Sequence, residues 1–350
     1  MTLTLSKWTG ASTTVESGAT LALDEMGTAL RAVTIEKYGP ASGLVVAHRP
    51  DPEVVPGAML VEVEAIGVGG VDAVIRRGTL GSTFPVGMIP GSEVAGTVVR
   101  LGDGVDDRWL GKRVWAFTGT QGAYAELVVA TEQDVTELPG GLTAADAVTL
   151  GSAGPVAHFA LKHGQFSSGE SVLVRGAAGS LGIMAVQLAA RGGASRIAVT
   201  TSSQERGDRL LGLGATEVLD RAGNRVDGRP DEDTFDVLID LVGGEGLPLF
   251  FSRLAPNGRV VSIGVVGGYP PADFGMELMR LFQRSLSFAT FSLATVPALE
   301  RDRGRSRIFE SAARHDIVPV TEDILSLAEA AEAHRRMDDG TVFGRFVLVP

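Results

Sequence analysis

The stretch Val172–Ala190 reads VLVRGAAGSLGIMAVQLAA, and it constrains the fold more than any other part of the chain. An apolar, β-branched run enters a glycine-rich knot, and an apolar segment of helical period leaves it. Gly176, Gly179 and Gly182 fall three apart, with Ala177, Ala178, Ser180 and Leu181 between them. Small residues let the backbone turn tightly and approach a ligand closely. The helix that starts here offers free N–H groups and the positive end of its dipole, which suits a pyrophosphate, and Gly182 permits close helix–strand packing. Ala177 breaks strict G-x-G-x-x-G, and over these residues alone any tight βα turn reads the same. The surroundings decide: strand, loop, long apolar helix and second strand follow within ~30 residues, as a dinucleotide-binding unit requires.

The end of that second strand predicts which dinucleotide. An NAD site places Asp or Glu there to hold the ribose 2′-hydroxyl. Residues 200–206 read TTSSQER, and the first acid, Glu205, already belongs to the next helix. Ser202, Ser203 and Arg206 offer hydroxyls and a guanidinium, and Arg221 after the third strand can reach the same pocket; such groups suit a 2′-phosphate dianion. The expectation is NADPH over NADH, although Ser202–Ser203 also read as an ordinary N-cap.

At 350 residues the chain is long for one domain and typical of two. Short β-branched runs at 30–39, 58–68, 92–102, 112–117 and 123–131 predict a small antiparallel barrel or sandwich, with a helix at 71–78. From about 142 the rhythm changes to an Ala-rich helical stretch. Strands then alternate with helices: strands at 171–175, 196–201, 216–219, 235–241 and 258–263, helices at 180–191, 204–212 and 245–254. That alternation predicts a parallel sheet, hence an α/β fold class. The tail, ending in a strand at 344–349, is expected to return to the first domain.

Composition excludes several functions. The net charge is −11 without a basic stripe, so nucleic acid is not expected as a partner. There is no cysteine, and His48, His158, His163, His315 and His334 show no ligand spacing, so no metal site is expected. No apolar run approaches a membrane span. Residues 1–28 lack the pattern of a secretory signal and read as a polar extension. A soluble cytoplasmic protein is expected.

IPGSEVAG (89–96), GAYAE (122–126), SGESVLVRGAAGSLG (168–182), DVLIDLVGG (236–244), PNGRVVSIG (256–264) and GRFVL (344–348) follow one another in an order that resembles the zinc-free medium-chain dehydrogenase/reductases of the quinone oxidoreductase and enoyl reductase type. The resemblance implies a GroES-like substrate domain from 29–152 and 292–350 and a doubly wound Rossmann domain over 153–291. It implies NADPH, a small apolar substrate and a homodimer joined through the Rossmann sheets. It places Val242, Gly243, Gly264 and Val265 along the cofactor and Gly344–Arg345 near its nicotinamide end. Zinc-bearing relatives carry His where Ser92 stands.

The reaction half departs from that pattern. Gly69 occupies the usual Asn position of the segment GVGGVD, Val74 a usual Tyr, and Val156 a usual Thr. Asp72 remains, and is expected to pair with Arg76 one turn on. Tyr38, Ser152 and His158 are the candidate substitutes, with Tyr124 and Tyr269 behind them; His158 reads more readily as a packed helix residue and Ser152 as a cap. The expected activity is NADPH-dependent reduction of a quinone or activated C=C. The alternative is an NADP(H)-binding relative, cyclase, isomerase or regulator, that performs no net redox.

Overall fold

The computed structural model describes residues 29–79, 84–226 and 234–350; the expected extension over 1–28 lies outside them. In the first part, β1 (Ala29–Ile35) and β2 (Leu44–Pro50) form an antiparallel hairpin. There follow β3 (Ala58–Gly67), α1 (Gly70–Arg77), β4 (Glu93–Leu101), β5 (Arg113–Phe117), β6 (Leu127–Thr131) and β7 (Val135–Glu137). The Ala-rich stretch gives two helices, α2 (Ala144–Leu150) and α3 (Ala153–His163), rather than one. They part at Gly151, where a Cβ would come within 2.0 Å of Trp115 Nε1, so the chain must stay bare as it passes the indole.

The middle of the chain builds β8 (Ser171–Arg175), α4 (Ser180–Arg191), β9 (Arg196–Thr200), α5 (Gln204–Leu211), β10 (Glu217–Leu219), β11 (Phe235–Asp240), β12 (Leu254–Ser262), α6 (Gly275–Arg280) and β13 (Ser287–Thr290). The helix expected over 245–254 is a 3₁₀ segment, Leu247–Arg253, with Pro248 in its first turn. The six strands lie parallel in the order β10-β9-β8-β11-β12-β13. All five residues of β8 are buried, as a central strand covered on both faces demands.

The last part adds α7 (Ala298–Ala313), β14 (Thr321–Ser326), α8 (Ala330–Asp338) and β15 (Arg345–Val349). Its strands complete the first sheet, ordered β14-β15-β3-β4-β5-β7 with β6 on β3. Both ends of the chain therefore build the GroES-like sheet, and the Rossmann-like sheet stands between them in sequence. The register Val347↔Gly67 and Leu348↔Ile66 sets the start of β15 beside the end of β3, where α1 begins.

Candidate active site

The glycine-rich loop sits at the carboxyl end of β8. Gly176 N donates to Thr200 Oγ1 at 2.9 Å, tying the loop to β9. A Cβ on Gly182 would lie 2.6 Å from Ala177 Cα, so the close helix–strand approach needs glycine there. Gly179, by contrast, faces open space, with nothing within 4 Å of a Cβ. The first helical bond of α4 runs from Ile183 N to Gly179 O at 2.9 Å, which leaves the N–H groups of Leu181 and Gly182 ahead of the ladder. The loop is also stitched to the other domain. Gly344 N donates to Ala178 O at 2.8 Å, and Ser180 N to Gly344 O at 3.2 Å.

At the end of β9, Ser203 caps α5 by accepting from Arg206 N at 3.3 Å. Arg206 reaches Ser202 Oγ at 2.9 Å and Gly340 O at 2.8 Å. Thr201, Ser202, Asp220, Arg221 and Ala222 line a pocket of about 470 Å³. Thr201 Oγ1 is buried there and has no hydrogen-bond partner among the described residues. Asp220 accepts from Ala222 N and Asn224 N, at 2.8 and 2.9 Å, and so shapes the turn that presents Arg221.

The ends of β8 and β11 are locked together. Arg175 Nη1 donates to Asp240 Oδ1 at 2.9 Å and to Gly243 O at 2.8 Å, and Asp240 Oδ2 accepts from Gly243 N at 2.9 Å. Gly243 and Gly264 are both required by packing: a Cβ would fall 2.7 Å from Gly268 O at the first and 2.5 Å from Leu241 O at the second. Val242 and Val265 beside them are half-buried.

At the other side of the stitch, the structure overturns the expected Asp72–Arg76 pair. Arg76 turns away to Asp338, at 2.7 Å, and to Gly39 O. A buried carboxylate on the first turn of a helix has nearer donors than an arginine one turn on. Asp72, wholly buried, accepts from Gly69 N at 2.8 Å, Ser92 Oγ at 2.9 Å and Tyr124 OH at 3.3 Å. The Tyr124 hydroxyl also meets His334 Nε2 at 2.9 Å, while His334 Nδ1 accepts from Arg76 Nε at 3.4 Å. Burial pushes Asp72 up to about 6, partly opposed by the Gly69 N–H and the Arg345 charge; burial and the Arg76 charge press His334 down to about 3.

Beside this cluster, Arg345 Nη2 meets Glu93 at 2.6 Å, and Glu93 also accepts from Trp115 Nε1 at 2.7 Å and Ser152 N at 3.1 Å. A Cβ on Gly69 would lie 3.4 Å from both Arg345 Nη2 and Asp72 Oδ2. Tyr38 lies elsewhere, its hydroxyl bound by the carbonyls of Phe84 and Pro85 at 3.1 and 3.3 Å. Ser152 precedes α3 without a side-chain cap bond. His158 is exposed, its ring edge-on to Phe159 at 4.8 Å, rather than packed inside its helix face. Tyr269 is exposed, and Val74 and Val156 are half-buried. Sequence reasoning passed over Ser92, Glu93 and His334 as working groups. Only the GSEV segment hinted at the first two, and nothing local marks His334, 210 residues from Tyr124.

Among the described residues, no three His, Cys, Asp or Glu stand together as a metal ligand set. Residues 55–140 match the alcohol dehydrogenase GroES-like domain family, and 180–302 the zinc-binding dehydrogenase family. A quinone oxidoreductase of Pseudomonas aeruginosa is 31% identical over 307 residues, 84% of this chain and 92% of that protein. The chain belongs to the medium-chain dehydrogenase/reductase superfamily, in its quinone oxidoreductase type. This quinone oxidoreductase-type chain is an oxidoreductase with a nicotinamide cofactor. An NAD-dependent alcohol dehydrogenase of Sulfolobus acidocaldarius is 28% identical over 91% of this chain and 99% of that one. A mycobacterial protein whose structure was solved in complex with NADPH superposes with a TM-score of 0.81 at 26% identity, over 92% of this chain and all of that one. No helix among the described residues is long and apolar enough to cross a membrane.

Proposed function

We propose that this protein is an NADPH-dependent, zinc-independent reductase of a quinone or of a C=C activated by a carbonyl group. The observation that carries the choice of cofactor is the acid-free end of β9, where Thr201, Ser202 and Arg221 line one pocket and Arg206 holds Ser202. A 2′-phosphate gains two guanidinium groups and hydroxyl donors there, while Asp220, the carboxylate that also lines the pocket, is taken up by the amides of Ala222 and Asn224. The amides at the start of α4 and the bare face of Gly179 suit the diphosphate. Zinc-independence rests on Ser92, where zinc-bearing relatives carry His, and on the absence of cysteine.

The nicotinamide, when bound, supplies the hydride. The chain's part is to hold it, exclude water and stabilise the charge that develops on the substrate oxygen. A single aimed donor is worth about 10²–10³ in rate. With Gly69, Val74 and Val156 in place of polar groups, the acceptor that best fits is one needing little help: a quinone or a strongly polarised enone. Those same three positions favour the second reading, an NADP(H)-binding relative without net redox.

Stopped-flow loss of NADPH absorbance against a panel of quinones, enones and enoyl thioesters tests the choice. Acceptor-dependent oxidation is expected with quinones first; product formation without cofactor turnover supports the second reading instead. Calorimetry of Arg221→Ala is expected to weaken NADPH about tenfold or more while leaving NADH unchanged, the loss of one charge-assisted contact. The protein is further proposed to act as a homodimer, with β13 as the exposed edge of the Rossmann sheet and Met276, Met279 and Phe282 exposed beside it.

A further inference from the structure

Reduction of a quinone or enone needs one proton for every hydride, and the residues expected to give it have gone from this chain. Four side chains instead form a continuous hydrogen-bonded row behind the domain junction: Ser92, Asp72, Tyr124 and His334. Ser92 precedes Glu93, which holds both Arg345 and the start of α3, so the row begins one residue from that contact.

The directions of the bonds follow from the groups that make them. Arg76 Nε can only donate, so His334 Nδ1 accepts and the imidazole proton sits on Nε2. Nε2–H then donates to the Tyr124 oxygen, and the Tyr124 hydroxyl proton is left for Asp72 Oδ2. Oδ2 also takes Gly69 N–H at 2.8 Å. With Oδ2 occupied by two donors, a proton on Asp72 belongs on Oδ1, the oxygen 2.9 Å from Ser92 Oγ. Protonated Oδ1 donates to Ser92, and the Ser92 hydroxyl hydrogen is released to turn toward a ligand.

We propose that Asp72 is the proton store of this site, handing its proton through the Ser92 hydroxyl to the substrate oxygen, with Tyr124 and His334 as the positioning residues that hold the carboxylate left behind. The inference rests on the reductase reading. Once the hydride has reached the substrate carbon, its electron pair comes to rest on the carbonyl oxygen. The Ser92 O–H bond breaks as the substrate O–H bond forms, and the Asp72 O–H bond breaks as Ser92 regains its proton. Asp72 is left as a carboxylate and recovers one proton from water after product departs, so one proton is consumed per hydride.

The charged groups around Asp72 permit both of its states. Arg345 of β15 favours the carboxylate, Glu93 of β4 opposes it, and Arg76 on its own helix is neutralised by Asp338 of α8. His334 stays neutral and Tyr124 stays protonated, its hydroxyl held well above its ordinary range by burial and by Asp72, so neither competes for the proton. Asp72, pushed up to about 6, is the one member of the row that titrates near neutrality.

Two measurements test this on the full-length protein. Difference infrared spectroscopy between pH 5 and 8, without cofactor, is expected to show a protonated-carboxyl band that titrates in wild type and is missing from Asp72→Asn. Turnover with NADPH and the best quinone is expected to fall as pH rises through the titration of Asp72. In both Asp72→Asn and Ser92→Ala that pH dependence is lost and kcat is lower by about 10²-fold, the ordinary share of a general acid. NADPH affinity is expected to be unchanged in each, which separates lost chemistry from lost folding. Tyr124→Phe is expected to move the pH profile upward, because a donor to the carboxylate is gone. The proposal is overturned if no band assigned to Asp72 titrates, or if Asp72→Asn keeps the wild-type pH profile. Failure of every acceptor to oxidise NADPH overturns the reductase reading instead, and the infrared result is read apart from it.

Discussion

Asp72 and His334 are buried in one hydrogen-bonded row and have shifted in opposite senses, so their effects on stability oppose each other. Asp72 moves from 3.8 to about 6, so between those values the folded protein binds a proton that the unfolded chain has lost, and stability falls as pH rises through that window. His334 moves from 6.5 to about 3, so between those values the unfolded chain binds a proton that the folded protein refuses, and stability falls as pH drops. From about pH 4 to 6 the two contributions cancel. Asp72→Asn removes one of them and leaves the His334 slope exposed. Urea unfolding at pH 4.5 and at pH 6 is expected to show this variant losing about 1.4 kcal/mol more per pH unit on acidification than wild type. Equal slopes for the two proteins would contradict the raised titration of buried Asp72.

The elements around the candidate cofactor site were legible where periodicity is strong. β8, α4, β9 and α5 fall within a residue or two of where an apolar run followed by a 3.6-residue period predicts them. β2, β13 and β14 were not singled out, because LVVAHRP, SFAT and TEDILS are half-exposed edge or outer strands whose pattern a sheet partner completes. The helix break at Gly151 was invisible because Trp115, which bars a side chain there, and Glu93, which takes Ser152 N–H, come from other strands. Between elements, the Arg175–Asp240 pair joins β8 to β11 in a dry setting, with Phe250 stacked on the guanidinium at 4.5 Å. Arg175→Ala leaves Asp240 buried without its cation, a situation that costs about 3–5 kcal/mol. Thermal unfolding is expected to show a large drop in Tm, with NADPH affinity falling as the Gly243 turn loosens; Arg175→Lys is expected to recover part of both.

Among the described residues of the whole molecule, the Rossmann sheet ends on β13, which pairs with β12 alone. Val266, Tyr269, Met276, Met279 and Phe282 are each more than 60% exposed. Exposed apolar side chains near a sheet edge suit a twofold pairing with a second copy. Light scattering on the purified protein is expected to give about twice 36.4 kDa, and Met279→Glu with Phe282→Glu to give the single-chain mass with the fold intact. A wild-type protein that runs as a monomer at micromolar concentration rules this pairing out.

The amino-acid sequence by itself determined the parallel alternation, the tight glycine-rich turn between β8 and α4 and the acid-free end of β9, because each depends on residues close together in the chain. Only the tertiary structure decided which polar groups work together. Asp72, Ser92, Tyr124 and His334 come from four separated places in the chain, and the pairing expected from local spacing, Asp72 with Arg76, gave way to nearer donors from other elements. A hydrogen bond is chosen by distance in space and by the cost of leaving a buried group unmade, and the chain order records neither.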